Sequence, residues 1–243
     1  MKIEGRNAVR EALQSDTTIL KLMIANTAND KVVKEIMDLA KRKGVKYQFV
    51  DPQVLKKASA TGKHQGVIAE TSSYQYFDVQ DILDSAKEKN KDPFILILDG
   101  IEDPHNLGSI LRVCECMGVD GVIISKNRAV GVNETVIKVS AGATSYVKVA
   151  CVTNIHQTME QLKQKGIFIY ACELGGEDIG KSNLTGPIAI VVGSEGQGMS
   201  QLTKKIADQV ITIPMFGKVN SLNASVSAGM VLYEAMMQRR KHE

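Results

Sequence analysis

The chain has few of the features that mark membrane, secreted or metal-binding proteins. No apolar run approaches the length that spans a bilayer, and the first residues carry no signal-peptide pattern. We therefore expect a cytoplasmic protein without a membrane partner. The four cysteines and four histidines are scattered without the spacing of metal ligands. This scatter predicts reduced thiols and no metal site.

Two common nucleotide-binding signatures are also missing. The glycine-rich segment 193–199, Gly-Ser-Glu-Gly-Gln-Gly-Met, is not followed by the Gly-Lys-Ser/Thr of a phosphate-binding P-loop. It also lacks the Gly-x-Gly-x-x-Gly spacing of a first βα turn with a later acidic partner. A nucleotide-dependent oxidoreductase is therefore disfavoured.

Excess charge of one sign is small overall, at +3, but it is unevenly distributed. Residues 1–70 contain 13 Lys/Arg against 8 Asp/Glu, whereas residues 91–243 contain 15 of each. A basic N-terminal segment favours an anion-binding domain, because Lys and Arg neutralise phosphates. Charge alone leaves a solvated lysine-rich surface equally open.

Apolar periodicity divides the chain into two α/β parts. Residues 1–71 alternate between helices and strands as a small domain, and residues 72–92 change composition and read as a linker with a short helix. The helices of the first part are predicted at 4–14 and 30–43, and its strands at 19–25, 47–50 and 66–71.

The second part, residues 93–243, is predicted to be an open parallel sheet with helices between its strands. Residues 94–98 and 188–192 are continuous apolar runs, which are typical of buried parallel strands. The predicted strands are Phe94–Asp99, Gly121–Ser125, Tyr146–Ala150, Phe168–Glu173, Ile188–Gly193 and Val210–Pro214.

Three polar or glycine-rich blocks lie where these predicted strands end or helices begin, which is where open α/β sheets bind ligands. Each has an ordinary alternative explanation. Asn106, Ser221 and Asn223 could be helix N-caps, and Arg112 could be a solvated arginine. The blocks are 106–112 (Asn-Leu-Gly-Ser-Ile-Leu-Arg), 191–199 (Val-Val-Gly-Ser-Glu-Gly-Gln-Gly-Met) and 213–226, which contains Ile-Pro-Met and Ser-Leu-Asn-Ala-Ser-Val.

In this order the blocks resemble the three motifs of the SpoU (TrmH-like, SPOUT-class) family of RNA ribose 2′-O-methyltransferases. The resemblance implies a domain with a deep trefoil knot, S-adenosylmethionine as cofactor, and a homodimer with active sites at its interface. The catalytic residues that it implies are Asn106, Arg112, Glu195, Ser221 and Asn223. The cofactor-binding residues that it implies are Gly193, Ile213, Met215 and Leu222.

The N-terminal part extends the resemblance. Residues 5–9 (Gly-Arg-Asn-Ala-Val) and 64–67 (His-Gln-Gly-Val) are similar to the two ends of the family's L30e-like RNA-binding domain. This similarity implies the branch that methylates a guanosine ribose in the peptidyl-transferase region of 23S rRNA. It makes Arg6 and His64 candidate RNA contacts, with ordinary surface roles still open.

The resemblance gives Arg112 the task of acting on the ribose 2′-hydroxyl, assisted by a substrate phosphate. A less demanding role, orienting that phosphate, stays open because arginine is not deprotonated in proteins. Two other functions also stay open. One is methylation of a tRNA guanosine, and the other is a non-catalytic RNA-binding role in ribosome assembly.

Overall fold

The structure is a computed structural model that describes residues 2–15, 17–59, 61–71, 74–194, 196, 198–218 and 221–240. The chain divides into two compact units, Met1–Gln75 and Tyr76–Glu243. Helix Val79–Glu88, which lies in the segment predicted to be a linker, belongs to the second unit. Its Ile82 is fully buried in the core of that unit.

The first unit is a four-stranded sheet with helices on both faces. Its strands occur in the order β1-β4-β2-β3, with β2 and β3 parallel and β4 antiparallel to β1 and β2. The strands are β1 (Lys2–Glu4), β2 (Ile19–Ala25), β3 (Tyr47–Val50) and β4 (Val67–Thr71). The helices are α1 (Arg6–Gln14), α2 (Lys31–Arg42) and α3 (Pro52–Ala58).

Local chemistry explains where these helices start. The Asp30 carboxylate accepts hydrogen bonds from the first amides of α2, at Val32 and Val33, as an N-cap does. Asp51 caps α3 in the same way, with a proline in its first turn. Gly5 has φ +92°, a backbone conformation outside the helical region, so α1 begins at Arg6 and the preceding residues form β1.

The second unit is a six-stranded, all-parallel sheet in the order β10-β8-β9-β5-β6-β7. Its strands are β5 (Phe94–Asp99), β6 (Gly121–Ser125), β7 (Lys148–Val152), β8 (Phe168–Asp178), β9 (Ile188–Gly193) and β10 (Gln209–Thr212). Its helices are α4 (Val79–Glu88), α5 (Pro104–Cys116), α6 (Glu134–Val139), α7 (Ile155–Gln164), α8 (Gln201–Ile206) and α9 (Ala224–Arg240). A short 3₁₀ helix occupies Ala143–Ser145.

The predicted parallel sheet is confirmed, and its two apolar runs are the adjacent central strands β5 and β9. Three predicted strand positions are wrong. β10 ends at Thr212, two residues before the predicted end at Pro214. β7 starts two residues late because residues 143–145 form the 3₁₀ helix and Tyr146 is exposed. β8 continues five residues further because it pairs with β10 on both sides of a register shift between Val210 and Ile211.

The order of the strands places the ligand-binding edge of the sheet. From β5 the chain adds β6 and β7 on one side, and later strands occupy the other side, so the direction of winding changes between β5 and β9. At their carboxyl ends Asp99 pairs with Gly193. A crevice forms outside such a switch point in open α/β sheets.

Candidate active site

A cleft with a volume of ≈ 360 Å³ lies at this edge of the sheet. Its walls come from the middle of β8, the end of β9 and the turn after it, helix α8, the end of β10 with the segment after it, and the start of α9. Five of the predicted site residues line it: Gly193, Ile213, Met215, Ser221 and Leu222. The structure thus brings the second and third blocks together.

The glycine-rich turn after β9 leaves no room for a side chain at its first position. A Cβ atom on Gly193 would lie 2.6 Å from the carbonyl carbon of Gly198 and 2.7 Å from the Met199 nitrogen. The turn closes with a hydrogen bond from the Gly198 amide to the Ser194 carbonyl, at 3.0 Å, and Gly198 has φ +64°. Backbone therefore forms this wall of the cleft. Glu195, predicted to be catalytic, lies outside the described residues.

Asn106 and Asn223 meet beside the cleft, which joins the first block to the third. The Asn223 side-chain nitrogen donates to the side-chain oxygen of Asn106 at 3.0 Å. The Asn223 oxygen accepts from the amides of Ser225 and Val226, so Asn223 caps α9. The N-cap explanation of Asn106 is wrong, because Asp103 accepts from the His105 amide and caps α5.

Arg112 lies apart from this group. It is exposed on α5 and does not line the cleft. Its guanidinium makes no hydrogen bond or ion pair with any residue that the structure describes. The buried apolar side chains of α5 are Leu107, Ile110, Leu111 and Cys114.

Helical spacing predicts two apolar stripes. One contains Leu107, Ile110, Leu111, Cys114 and Gly118, and the other, for the core or a subunit interface, contains Val226, Met230, Tyr233 and Met237. Gly118 does not join the α5 stripe, since it follows the helix in a left-handed conformation with φ +72°. On α9, Val226, Met230 and Tyr233 are 48%, 43% and 51% exposed, so they do not belong to the core of a single copy, and their place in a subunit interface stays a prediction. The face of α9 that packs inward carries small and branched residues, namely Ala224, Ala228, Val231, Leu232 and Ala235.

In the first unit, the segments that contain Arg6 and His64 lie side by side. The Arg6 guanidinium donates to the Gln65 carbonyl at 2.9 Å and pairs with Asp30 at 2.5 Å. The His64 Nδ1 atom accepts from the Gly66 amide at 3.0 Å. Arg6 therefore links the start of α1 to the segment before β4, whereas His64 stabilises the turn within that segment.

A hydrogen-bonded network next to the cleft was missed by the sequence analysis. The Asp99 carboxylate accepts from the Thr203 hydroxyl at 2.6 Å and from the Ser200 amide at 3.2 Å. His156 Nε2 lies 3.0 Å from the Ser200 hydroxyl. This network fixes the start of α8 against the end of β5. No local spacing signals it, because Asp99 and Thr203 are 104 residues apart.

A charged pair in the cleft wall was also missed. The Lys204 ammonium lies 3.2 Å from the Glu173 carboxylate, which also accepts from the Met199 and Leu174 amides at 3.2 and 3.3 Å. Burial opposes ionisation of Glu173, but these hydrogen bonds and Lys204 outweigh it, so its pKa lies below the usual carboxyl value.

Two partly buried thiols are not activated. Burial, with a smaller contribution from the Glu173 carboxylate, raises the pKa of Cys172, which lines the cleft, to about 12. Burial raises the pKa of Cys151, which does not line the cleft, to about 11. Within the described segments, no group of three or more His, Cys, Asp or Glu side chains is placed to hold a metal ion. Every helix in those segments is too short or too polar to cross a membrane.

Two family models together match nearly the whole chain. The "SpoU rRNA Methylase family" matches residues 93–233, and "RNA 2'-O ribose methyltransferase substrate binding" matches residues 2–77. YacO of Bacillus subtilis (strain 168), named as a TrmH family tRNA/rRNA methyltransferase, is 44% identical over 97% of this chain and 94% of its own length. A protein of the same family name from Staphylococcus aureus (strain MSSA476) is 43% identical over 99% of this chain and 96% of its own.

Solved structures show the same fold. The SpoU methyltransferase AviRb from Streptomyces viridochromogenes, solved with the cofactor AdoMet, superposes with a TM-score of 0.63 at 21% identity, covering 99% of this chain and 91% of that one. The TrmH/SpoU tRNA modifying enzyme of A. aeolicus gives a TM-score of 0.57 at 31% identity, covering 63% of this chain and 78% of that one. The chain belongs to the SpoU/TrmH family of RNA methyltransferases.

Proposed function

We propose that the protein uses S-adenosylmethionine to methylate the 2′-oxygen of a guanosine ribose in 23S rRNA, in the peptidyl-transferase region. The observation that carries this proposal is the cleft at the switch point of the sheet, with the Asn106–Asn223 pair beside it. The trefoil knot that the resemblance implies stays a prediction.

The residues of the cleft fit the proposed cofactor. Gly193 and Gly198 present backbone without side chains, so a planar adenine can approach closely. Ile213, Met215 and Leu222 supply apolar lining for the same group. The cofactor, when bound, supplies a methyl group activated by its sulfonium.

The chain's own task is then to hold a ribose 2′-oxygen in line with that methyl group, and positioning alone provides a large rate enhancement. We assign to Arg112 the orientation of a substrate phosphate and the stabilisation of charge, because its guanidinium stays protonated. The hydrogen bond between Asn106 and Asn223 joins the first turn of α5 to the start of α9. Glu195 and Ser221 complete the proposed catalytic set. Arg112→Ala should abolish turnover. If Arg112→Lys kept near-normal turnover, a role of Arg112 as the base would be excluded.

We further propose a homodimer in which Arg112 of one copy serves the cleft of the other. Two observations support it: Arg112 does not line its own cleft, and Val226, Met230 and Tyr233 form an exposed apolar stripe on α9. Co-expression of Arg112→Ala with the cleft-blocking variant Gly193→Leu tests it. Mixed dimers should restore about a quarter of the wild-type activity, since half of the dimers are mixed and each has one intact site. No recovery would show that Arg112 serves its own chain.

The RNA substrate is proposed to bind first to the N-terminal unit, whose positive charge suits phosphates. Arg6 and His64 stay candidate contacts there. Methylation of 23S rRNA fragments and of tRNA transcripts, with mapping of 2′-O-methyl sites, tests the substrate. Transfer to tRNA alone would favour the tRNA guanosine alternative, which the relatives' shared tRNA/rRNA name keeps open. Failure to bind S-adenosylmethionine in calorimetry would favour a non-catalytic RNA-binding role.

A further inference from the structure

Two charged side chains stand in the wall of the cleft outside all three sequence blocks. Glu173 lies in β8 and Lys204 lies in α8, and both line the cleft. They are the charged side chains among the cleft-lining residues that the structure describes. The side chain of Glu173 is 20% exposed and that of Lys204 is 30% exposed, so solvent screens this pair less than a surface pair.

The Glu173–Lys204 pair contacts the last two residues of the glycine-rich turn, Gly198 and Met199. The Glu173 Oε2 atom accepts from the Met199 amide, and the same atom would lie 2.8 Å from a Cβ on Gly198. The Met199 side chain is 4% exposed and belongs to the main core of the unit. The exit of the turn is therefore fixed from both sides, by core packing and by the carboxylate.

These contacts form a continuous chain from the ion pair to the cofactor wall. Lys204 contacts Glu173, and Glu173 contacts the backbone at Gly198 and Met199. That backbone packs against Gly193 so closely that no Cβ fits between them. A shift of the Glu173 carboxylate must therefore move or release the backbone that forms the cleft.

We propose that Glu173 and Lys204 are positioning residues that hold the glycine-rich turn in its cofactor-binding shape. This inference rests on the proposed cofactor site. The pair acts through the backbone of residues 198–199 and not through the sulfonium charge of the ligand. It should therefore strengthen the binding of charged and uncharged ligands of the cleft alike.

The test is calorimetric titration of the full-length protein with S-adenosylmethionine and with S-adenosylhomocysteine, which lacks the sulfonium charge. Glu173→Ala removes both the ion pair and the acceptor for the Met199 amide, whereas Glu173→Gln keeps an acceptor oxygen. Lys204→Met breaks the pair from the other side, and Lys205→Met is the matched control because Lys205 is an exposed neighbour in the same helix turn.

We expect Glu173→Ala to weaken binding of both ligands by well over tenfold, and Glu173→Gln and Lys204→Met by about tenfold or less. Lys205→Met should bind as the wild type does. The turnover number at saturating S-adenosylmethionine should stay within about twofold for Glu173→Gln and Lys204→Met, because no reacting atom is touched.

Several results would overturn this inference. One is unchanged affinity in Glu173→Ala and Lys204→Met. Another is weakened binding of S-adenosylmethionine alone, which would indicate direct contact with the sulfonium charge. If Glu173→Ala fails to fold, the other two variants decide the question. Failure of the wild type to bind either ligand would instead overturn the proposed function.

Discussion

Replacing Gly193 by alanine should damage the cleft while leaving the rest of the sheet in place. The added Cβ would lie 2.6 Å from the Gly198 carbonyl carbon and 2.7 Å from the Met199 nitrogen, where ordinary contacts begin at 3.4 Å. Both neighbours are backbone atoms, so no flexible side chain can move aside. Full relief of these contacts would take a shift of most of an ångström, and overpacking of this kind costs about 1–3 kcal/mol.

The strain can lower either the stability of the fold or the affinity for the cofactor, and a separate assay measures each. If the turn stays in place, the free energy of unfolding in urea, followed by far-UV circular dichroism, should fall by about 1–3 kcal/mol. If residues 198–199 move instead, the same strain should weaken S-adenosylmethionine binding in calorimetry by about 5- to 150-fold.

The matched control is Gly196→Ala in the same turn, since a Cβ on Gly196 meets nothing within 4 Å and its φ is not left-handed. Gly196→Ala should leave the unfolding free energy close to the wild-type value. The reasoning is refuted if Gly196→Ala destabilises as much as Gly193→Ala, or if Gly193→Ala behaves as the wild type in both assays.

Three further predictions concern contacts around the site. A double-mutant cycle of Asn106→Ala and Asn223→Ala should give a coupling free energy of about 0.5–1.5 kcal/mol in urea unfolding, and additive losses would mean that their 3.0 Å hydrogen bond contributes nothing. Gly108→Ala should destabilise by about 1–3 kcal/mol although alanine favours helices, because its Cβ would lie 2.7 Å from the Cβ of Val139; an unchanged melting temperature would refute this. The pKa of Glu173 is lowered in the folded state, so its stabilising contribution is present above the ordinary carboxyl value and is lost as pH falls through the lowered one. The wild type should therefore lose its melting-temperature advantage over Glu173→Gln as the pH falls below the ordinary carboxyl value, and a constant difference would refute the assignment.

Much of the fold could be predicted because each buried strand is a continuous apolar run of neighbouring residues. Strands β5, β6 and β9 occupy the predicted residues, since strands covered on both faces need continuous apolar runs and each run ends at polar or glycine residues. The glycine-rich turn was also visible, because close backbone approach excludes every residue with a Cβ at Gly193.

The errors arise where pairing across the sheet outweighs local preference. Strand β1 has only three residues and exists because Lys2–Glu4 pairs with β4. The extension of β8 depends on its partner β10, more than thirty residues later. The contacts of Glu173 with Lys204 and of Asp99 with Thr203 are likewise products of the folded sheet edge. No spacing within the sequence indicates any of these pairings.

Arg112 shows how the geometry of one helix limits what a single copy of the chain can do. Six residues along an α-helix separate it from Asn106, which turns it by about 120° around the axis and moves it about 9 Å along it. Asn106 can therefore meet Asn223 beside the cleft, while Arg112 projects outward because the stripe at Leu107 and Leu111 must face the core. In the homodimer proposed above, the ribose would lie between this outward face of α5 and the cleft of the second copy. A second copy of the chain, bound through the exposed apolar stripe of α9, would supply that cleft.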